Sequence, residues 1–329
     1  MKTIKIKYTD FWKKFKLEDD LLYQILMESP EYDVRVCDDP DYIVYSAFGH
    51  EHLNYNCIRI FYTGEEICPD FNICDYGIGF EYLTFGDRYF RLPIMYEPFY
   101  LNDYKNMLVR PEALDPNRKF CSFVYSNPNA NSMRTNFFTR LSEYKQVASG
   151  GKILNNVGGP VANKLDFERQ FKFSIAFENV RHNGYTTEKL MQSFAAGGIP
   201  VYWGDPKVSD MFNSKAFINV SDYSSIDEAI EYIKFVDQND DEYLKLLREP
   251  AIRDEYKLEV IKASYSAFVK NIFDQDFPEV QRTTREMANA RYVEQTKRKA
   301  ELYQMTDPAE KVKFKVKKMF RKIGLYRSD

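Results

Sequence analysis

The sequence predicts an α/β protein of two domains that face each other across a cleft. Strands of buried character alternate with helices along most of the chain, which is typical of mostly parallel sheets. The stretch from Phe173 to Gly204 contains one complete strand–helix–strand unit, in which Gly197-Gly198 ends the helix. The chain has 329 residues, more than the roughly 250–300 that a single hydrophobic core usually serves. Two cores are therefore expected.

Residues 1–155 are predicted to form the N-terminal domain. Its predicted elements are strand 2–8, helix 17–27, strands 42–46, 58–62 and 76–79, strand 120–125 and helix 133–144. An irregular stretch rich in Pro and Tyr precedes residue 120. The segment from Val147 to Gly151 begins a loop-rich connection, in which Gly158-Gly159-Pro160 is the predicted hinge.

Residues 156–265 are predicted to form the second domain. Its predicted elements are strands 173–177, 199–203 and 216–220, a helix that begins near Glu188, a short helix near 208–212, and a helix after Ser225. Ser225 and Glu228 have the spacing of a capping box, which predicts the start of that last helix. Helices in residues 266–308 are expected to pack back toward the N-terminal domain.

Lys189 is anomalous at a helix start. If Thr186 is the N-cap, Lys189 occupies the third helical position, where the positive end of the helix dipole disfavours a cation. Side chains in a first turn lean toward the helix N-terminus, so Glu188 and Lys189 can both reach the space in front of it. A phosphate there would make the lysine favourable. The alternative is a solvated surface lysine.

Arg134 raises the same question in another helix. It lies in the first turn of the helix that follows Asn131-Ser132, and it is either a surface arginine or a ligand of an anion. On the predicted domain boundaries, Arg134 and Lys189 would approach one anion from the two sides of the cleft.

Several separated blocks of the sequence occur in the order found in one family. They are Phe61-Tyr-Thr-Gly-Glu65, Cys74-Asp-Tyr-Gly-Ile-Gly-Phe80, Asp87-Arg-Tyr-Phe-Arg-Leu-Pro93, Ser126-Asn-Pro-Asn129, Glu178-Asn179, Tyr185, Thr187-Glu188-Lys189 and Ile199-Pro-Val-Tyr-Trp-Gly204. With these blocks the chain resembles the bacterial α-1,3-fucosyltransferases, inverting enzymes that use GDP-fucose. The resemblance implies two Rossmann-like domains of the GT-B type. It also implies transfer of fucose to a hydroxyl of N-acetylglucosamine in a lactosamine-type acceptor glycan, either free or lipid-linked.

The resemblance assigns the general base to Glu65. This residue follows strand 58–62 in the motif Tyr62-Thr-Gly-Glu65, at a strand end that is expected to face the cleft. Partial burial beside Tyr62 could raise the pKa of the Glu65 carboxyl toward that of a base. The adjacent Glu66 is the alternative base, and an exposed acidic turn is the alternative structure.

The resemblance also places five residues at the donor. Arg134 and Lys189 match positions that contact the diphosphate, and Glu188 matches the carboxylate near the developing positive charge on fucose. Asn179 and Tyr185 match positions near the ribose, phosphate or sugar. Without the resemblance, Glu188 would be an ordinary acid in a first helical turn, Asn179 a turn residue and Tyr185 a packing residue.

No cofactor or essential metal is expected, and a divalent cation is expected to be stimulatory at most. Asp39-Pro-Asp41 matches the Asp-x-Asp pattern of metal-dependent transferases, but it is better explained as the loop before strand 42–46. His50-Glu-His52 has no further ligands at useful spacing among only three histidines. Gly77-Ile-Gly79 lacks the third glycine of a dinucleotide-binding motif, which argues against a dehydrogenase.

Charge is concentrated at the C-terminus. Residues 311–329 carry eight Lys or Arg against Asp329, a net charge of +7, which leaves −10 for residues 1–310. Val312, Val316, Met319 and Ile323 form one apolar face there. Residues 309–329 are therefore expected to form a basic amphipathic helix on an anionic membrane surface, and the acidic body argues against nucleic acid.

The location expected from the sequence is cytoplasmic and peripheral on the inner face of the membrane. No segment has the length of a signal peptide's apolar run or the ~20 apolar residues of a membrane span. Five cysteines without paired spacing are consistent with reduced thiols. Two alternatives to the implied function are an enzyme of this fold with another nucleotide-sugar and a non-catalytic glycan- or membrane-binding homologue. The identity of the acceptor, the choice of O3 or O4 linkage and the oligomeric state stay open.

Overall fold

The computed structural model describes residues 1–304 and Val316, which it arranges around two fully parallel sheets. The predicted membrane-associating tail at 309–329 lies outside the described residues, apart from Val316. Among the described residues, none of the helices combines the length and the apolar character that crossing a bilayer requires.

The first sheet has six strands in the order β2-β1-β3-β4-β5-β6. They are β1 (Lys2–Thr9), β2 (Tyr32–Val36), β3 (Tyr42–Tyr45), β4 (Ile58–Tyr62), β5 (Tyr76–Gly79) and β6 (Tyr89–Arg91). Every residue of β3, β4 and β5 is buried, as expected for central strands of a parallel sheet that is covered on both faces.

The second sheet has five strands in the order β11-β10-β9-β7-β8. They are β7 (Lys119–Phe123), β8 (Val147–Ser149), β9 (Phe171–Phe177), β10 (Ile199–Trp203) and β11 (Ile218–Asn219). The predicted domain boundary at 155 is therefore wrong, because β7 and β8 pair within the second sheet. Val147 begins a strand there and not a loop.

Ten helices cover the two sheets in the described part of the chain. They are α1 (Leu21–Glu28), α2 (Leu101–Leu108), α3 (Met133–Ser142), α4 (Lys164–Glu168), α5 (Glu188–Ala195), α6 (Val208–Met211), α7 (Ile226–Gln238), α8 (Asp240–Arg248), α9 (Leu258–Asp274) and α10 (Met287–Gln304). Ser225 caps α7 as predicted, since its side chain accepts a hydrogen bond from the Glu228 backbone N–H.

The last two helices return to the first domain, as the sequence predicts. On α9, the ring of Phe273 lies 4.6 Å from that of Tyr42, and Asp274 accepts a hydrogen bond from the Tyr32 hydroxyl. On α10, Tyr292 donates a hydrogen bond to Asp70. The predicted boundary at 265/266 falls inside α9, so the return begins earlier, at Leu258.

The two domains also pack directly against each other. Helix α2 of the first domain lies along α5 of the second, and Gln192 donates a 2.9 Å hydrogen bond to Asp103. Buried Leu190, Met191 and Phe194 of α5 belong to the same hydrophobic cluster as the core of the first sheet. Helix α5, which begins at Glu188, is therefore held by both domains.

Candidate active site

The carboxyl ends of the two sheets meet at a cleft. Phe80 follows β5, and its ring lies 5.0 Å from that of Tyr185, in the loop between β9 and α5. The neighbouring Glu81 pairs with His182 at 2.7 Å. Gly184 has a φ of +85°, and a β-carbon there would lie 2.3 Å from the Phe80 carbonyl oxygen, so only glycine lets the loops approach this closely.

Helix α5 begins one residue later than the sequence predicts. Thr187, and not Thr186, is the N-cap, so Lys189 is the second helical residue. The Lys189 Nζ lies 3.1 Å from Glu178 Oε2 and 3.3 Å from Glu188 Oε1. These two carboxylates offset the unfavourable helix dipole at Lys189, so a phosphate is not needed to explain the lysine.

Glu178 is the residue whose role the sequence analysis missed. It directly follows β9, is completely buried, and accepts hydrogen bonds from the backbone N–H of Thr187 at 2.8 Å and from its hydroxyl at 2.7 Å. Burial raises the pKa of this carboxyl, against the opposing effect of Lys189. An acid directly after a buried strand that ends in Ile175-Ala-Phe177 is the sequence signal that could have identified it.

The charges of Glu188 and Lys189 stabilise each other. Burial disfavours the ionised Glu188 carboxyl, but Lys189 and Lys164 outweigh burial and lower its pKa. Burial likewise disfavours the Lys189 ammonium, yet Glu178 and Glu188 raise its pKa. Both groups are therefore charged at neutral pH, which leaves a carboxylate and an ammonium side by side at the start of α5.

Arg134 has a guanidinium that is only partly bonded. It lies in the first turn of α3, is 2% exposed, and stacks over Tyr125 with its Cζ 3.9 Å from the ring centroid. Its Nη2 donates hydrogen bonds to the Phe177 carbonyl oxygen at 3.0 Å and to Asn179 Oδ1 at 2.9 Å. Its Nε and Nη1 are buried without a hydrogen-bond partner within the described part of the chain.

Such a cation is suited to binding an anion. A buried donor without a partner costs free energy, and arginine keeps its charge even though burial lowers its pKa. The sequence analysis placed Arg134 in the first domain, opposite Lys189. That placement is wrong, because α3 connects β7 and β8 of the second sheet. Both cations belong to one domain.

Asn179 and Tyr185 adjoin the same cations. Asn179 accepts the Arg134 bond, and its carbonyl oxygen accepts a 2.8 Å hydrogen bond from the Asn131 N–H, which holds the loop before α3. Tyr185 is 3% exposed. Burial raises the pKa of its phenol, and Glu178, Glu66 and Glu65 raise it further. Carboxylates of both domains, Glu178 on one side and Glu65 and Glu66 on the other, therefore act on Tyr185.

Glu65 faces this group from the first domain. It is exposed, and its backbone N–H donates a 3.0 Å hydrogen bond to the Thr63 hydroxyl. Partial burial raises the pKa of its carboxyl, Glu66 and Glu188 raise it further, and Lys189 lowers it. The charges of α5 thus act on Glu65, whose role as the base stays a prediction.

Tyr62, the last residue of β4, is buried, and its place at the cleft stays a prediction. It is 3% exposed in the core of the first domain, where its ring stacks on Phe11 at 5.9 Å.

The two candidate metal motifs have other partners. Asp39 pairs with Lys5, and His52 Nδ1 lies 2.7 Å from Asp10 Oδ2. Over residues 1–304 and Val316, no three His, Cys, Asp or Glu side chains are grouped so that they could hold a metal ion.

The fold is that of a glycosyltransferase of the GT-B type. It has two parallel sheets with opposed carboxyl ends, cations at two helix starts, and a helix late in the chain that crosses back to the first domain. The crystal structure of an α1,3-fucosyltransferase has the same fold, with a TM-score of 0.73 and 31% identity over 87% of this chain and 93% of that one. A crystal structure of α1,3-fucosyltransferase with GDP-fucose matches with a TM-score of 0.69 and 30% identity, over 84% and 93% of the two chains.

The sequence comparisons define the family. Residues 6–100 match the alpha-(1,3)-fucosyltransferase FucT N-terminal domain, and residues 114–296 match the glycosyltransferase family 10 (fucosyltransferase) C-terminal model. The chain belongs to glycosyltransferase family 10. It is 36% identical over 290 residues to the alpha-(1,3)-fucosyltransferase FucT of Helicobacter pylori, and this match covers 75% of this chain. The match spans about 60% of the length of that relative.

Proposed function

We propose that this protein is an α-1,3-fucosyltransferase, which transfers fucose from GDP-fucose with inversion to a hydroxyl of N-acetylglucosamine in a lactosamine-type glycan. The observation that carries the proposal is the buried Arg134 guanidinium. Two of its nitrogens have no hydrogen-bond partner among the described residues, and the Glu178 and Glu188 carboxylates act on its charge. Membership of family 10 and the fold shared with α1,3-fucosyltransferases support it.

The leaving group of this reaction is a nucleoside diphosphate, which gains negative charge as the bond to fucose breaks. Arg134 Nε and Nη1 supply hydrogen-bond donors for that charge, and Lys189 supplies an ammonium. Because these groups are already held in place by Tyr125, Asn179 and Glu178, little reorganisation accompanies the reaction.

Inversion follows from a single displacement. Glu65 accepts the proton of the acceptor hydroxyl. At the same time the oxygen of that hydroxyl attacks the anomeric carbon of fucose, on the face opposite the diphosphate. The C–O bond to the diphosphate breaks in the same step, so the configuration inverts. The Glu188 carboxylate, kept ionised by Lys189, stabilises the positive charge that develops on the sugar.

Product analysis tests this proposal. The purified protein is incubated with N-acetyllactosamine and either GDP-fucose or GDP-mannose, and the linkage and anomeric configuration of the product are determined by NMR. Fucose in α-linkage to O3 of N-acetylglucosamine is expected with GDP-fucose alone. Transfer from GDP-mannose would assign another donor, and GDP binding without turnover on any glycan would favour a non-catalytic homologue.

The same assay tests the expectation that no metal is required. With EDTA present, turnover should persist, and added Mn²⁺ or Mg²⁺ should stimulate it at most modestly. Complete loss of activity with EDTA that is restored by one divalent cation would contradict this part of the proposal.

We also propose that residues 311–329 bind the protein to the inner face of the cytoplasmic membrane, where it acts in the synthesis of Lewis-type antigen or lipopolysaccharide on a free or lipid-linked glycan. The support is the sequence pattern of this segment, in which an apolar helix face lies opposite basic residues. Deletion of 311–329 should abolish cosedimentation with anionic vesicles and keep activity on soluble acceptors. Equal cosedimentation of the truncated protein would contradict it, as would full recovery of the intact protein in the soluble fraction of cells.

A further inference from the structure

The first domain carries three aromatic side chains, two exposed and one half-buried, on the edge that contains Glu65. Trp12 follows β1, Phe48 follows β3, and Phe99 lies just before α2. Trp12 is between the other two, with ring centroids 6.1 Å from Phe48 and 6.4 Å from Phe99. Phe48 is 52% and Phe99 39% exposed. We call Trp12, Phe48 and Phe99 the aromatic shelf.

The aromatic shelf is continuous with the site. In the sheet order β1-β3-β4-β5, the loop that carries Glu65 is next to the loop that carries Phe48. The ring of Phe99 lies 4.5 Å from that of Tyr100. Burial and then Glu188 raise the pKa of the Tyr100 phenol, so Tyr100 lies close to the donor-side carboxylate. The shelf therefore lies beside the loop of Glu65 and is joined through Tyr100 to the side of the site that holds Glu188.

Along this edge, the contacts between the two domains lie on one side of Glu65 and the aromatic shelf lies on the other. Toward β5 and β6 the two domains are in contact, through Phe80 with Tyr185, Glu81 with His182, and Arg91 with Gly184. Toward β3 and β1 the edge opens onto the aromatic shelf. Beside Trp12 it continues into a cavity of about 470 Å³, which is also lined by Thr9, Phe11 and the Lys7–Asp38 ion pair.

The shelf is held in position before any ligand binds. Asp10 accepts hydrogen bonds from the backbone N–H groups of Glu51 and His52, at 2.9 and 3.0 Å, and contacts His52 Nδ1 at 2.7 Å. These bonds connect the loop after β1 to the loop after β3. Trp12 and Phe48 are therefore fixed relative to each other, which reduces the entropy lost on binding.

We propose that the aromatic shelf binds the acceptor glycan, through the sugar units beyond the one whose hydroxyl attacks fucose. Exposed aromatic rings can pack against the C–H face of a neutral pyranose, and the polar rim of Lys7, Thr9 and Asp38 can bond its hydroxyl groups. This inference rests on the proposed fucosyl transfer and names the residues that select its acceptor.

Kinetics of shelf variants test the inference. Phe99→Ala and Trp12→Ala should each raise KM for N-acetyllactosamine at least fivefold, while KM for GDP-fucose and acceptor-free hydrolysis of GDP-fucose change less than twofold. Acceptors with one additional lactosamine unit should be preferred by the wild type and not by the variants. Phe235→Ala is the matched control, because Phe235 is 49% exposed on α7, in the other domain.

Two results would overturn the inference. One is an unchanged acceptor KM in both shelf variants. The other is an equal rise in KM for donor and acceptor, which would indicate general damage to the site. If Trp12→Ala does not fold, Phe99→Ala and Trp12→Phe serve instead, with thermal unfolding as the check.

Direct binding separates this inference from the proposed function. Trp12 is one of only two tryptophans, so N-acetyllactosamine should change the emission of the wild type and leave that of Trp12→Phe unchanged. If the emission changes but no sugar is transferred, the proposal for the shelf stands and the proposed function is wrong. Normal transfer without any emission change, or a change with neutral-lipid vesicles instead of the glycan, would contradict the shelf.

Discussion

The two walls of the cleft differ in how their functional groups are held. On the donor wall, Arg134 and Glu178 are buried, and Lys189 is paired with two carboxylates. On the wall proposed for the acceptor, Glu65, Phe48 and Phe99 are exposed and Trp12 is half-buried. The donor groups are fixed by partners on three elements, whereas Glu65 is held through its backbone by Thr63.

This difference indicates that the two walls have different roles in the proposed reaction. Stabilising the charge of a departing diphosphate requires donors that are oriented before the reaction, and burial makes their electrostatic effect stronger. A base needs only hydrogen-bond reach to the hydroxyl and a suitable pKa. Variants of the donor wall should therefore change binding, and variants of Glu65 should change the chemical step.

Glu65→Gln is expected to have the largest effect. The amide cannot accept the proton, so kcat should fall by about 10²–10⁴, the usual contribution of a general base. The affinity for GDP, measured by calorimetry, should be unchanged because Glu65 does not belong to the donor wall. Glu66→Gln is the control, and a loss of turnover in that variant alone would transfer the role of base to Glu66.

Lys189→Ala should weaken donor binding by about 1.5–3 kcal/mol, the value of a hydrogen bond to a charged group. The measurement is the Kd for GDP, with Lys234→Ala on α7 as the control. The substitution also leaves Glu178 buried without its ammonium partner, so the melting temperature should fall. A lower melting temperature with an unchanged Kd would restrict Lys189 to a structural role.

Arg134→Lys should have a smaller effect on donor binding, about 1–2 kcal/mol. Lysine keeps the charge but loses the planar fork that bonds Asn179 and stacks on Tyr125. Arg140→Lys is the matched control, since Arg140 is an exposed residue of the same helix. If both variants bind GDP like the wild type, the unpaired nitrogens of Arg134 do not contact the donor.

The smallest predicted effect concerns the pH profile. Burial and Glu66 raise the pKa of Glu65 above its ordinary value of 4.5, and the base must be unprotonated to act. The acid limb of kcat/KM should therefore rise with pH through a midpoint above 4.5. Glu66→Gln removes one negative charge and should lower that midpoint. A midpoint that stays in place would show that Glu66 does not act on the base.

The sequence predicts the strand–helix–strand unit around α5 well, because its signals are local. Gly197 takes a φ of +74° after the helix, as its predicted role at the helix end requires. Helix α2 was not predicted, because no side chain caps its N-terminus and it lies in an irregular segment. Its packing against α5 is a tertiary interaction, which local patterns do not encode.

The domain boundary was missed for a similar reason. Strand β8 has only three residues before Gly150-Gly151, so the sequence there resembles a loop. At the site, the structure groups five residues that the sequence analysis named, which are Arg134, Asn179, Tyr185, Glu188 and Lys189. The sequence could not show that Glu178 already compensates Lys189, because that contact depends on how β9 meets α5.

The return of α9 to the first sheet has a consequence for the biogenesis of this chain. Tyr265, Phe268 and Phe273 of α9 fill the core around Tyr42 and Tyr76. Until the ribosome has synthesised α9, the core of the N-terminal domain is incomplete and the nascent chain exposes apolar surface. Cutting the chain between the two domains would therefore give an N-terminal fragment that aggregates, unless the fragment with α9 is expressed together with it.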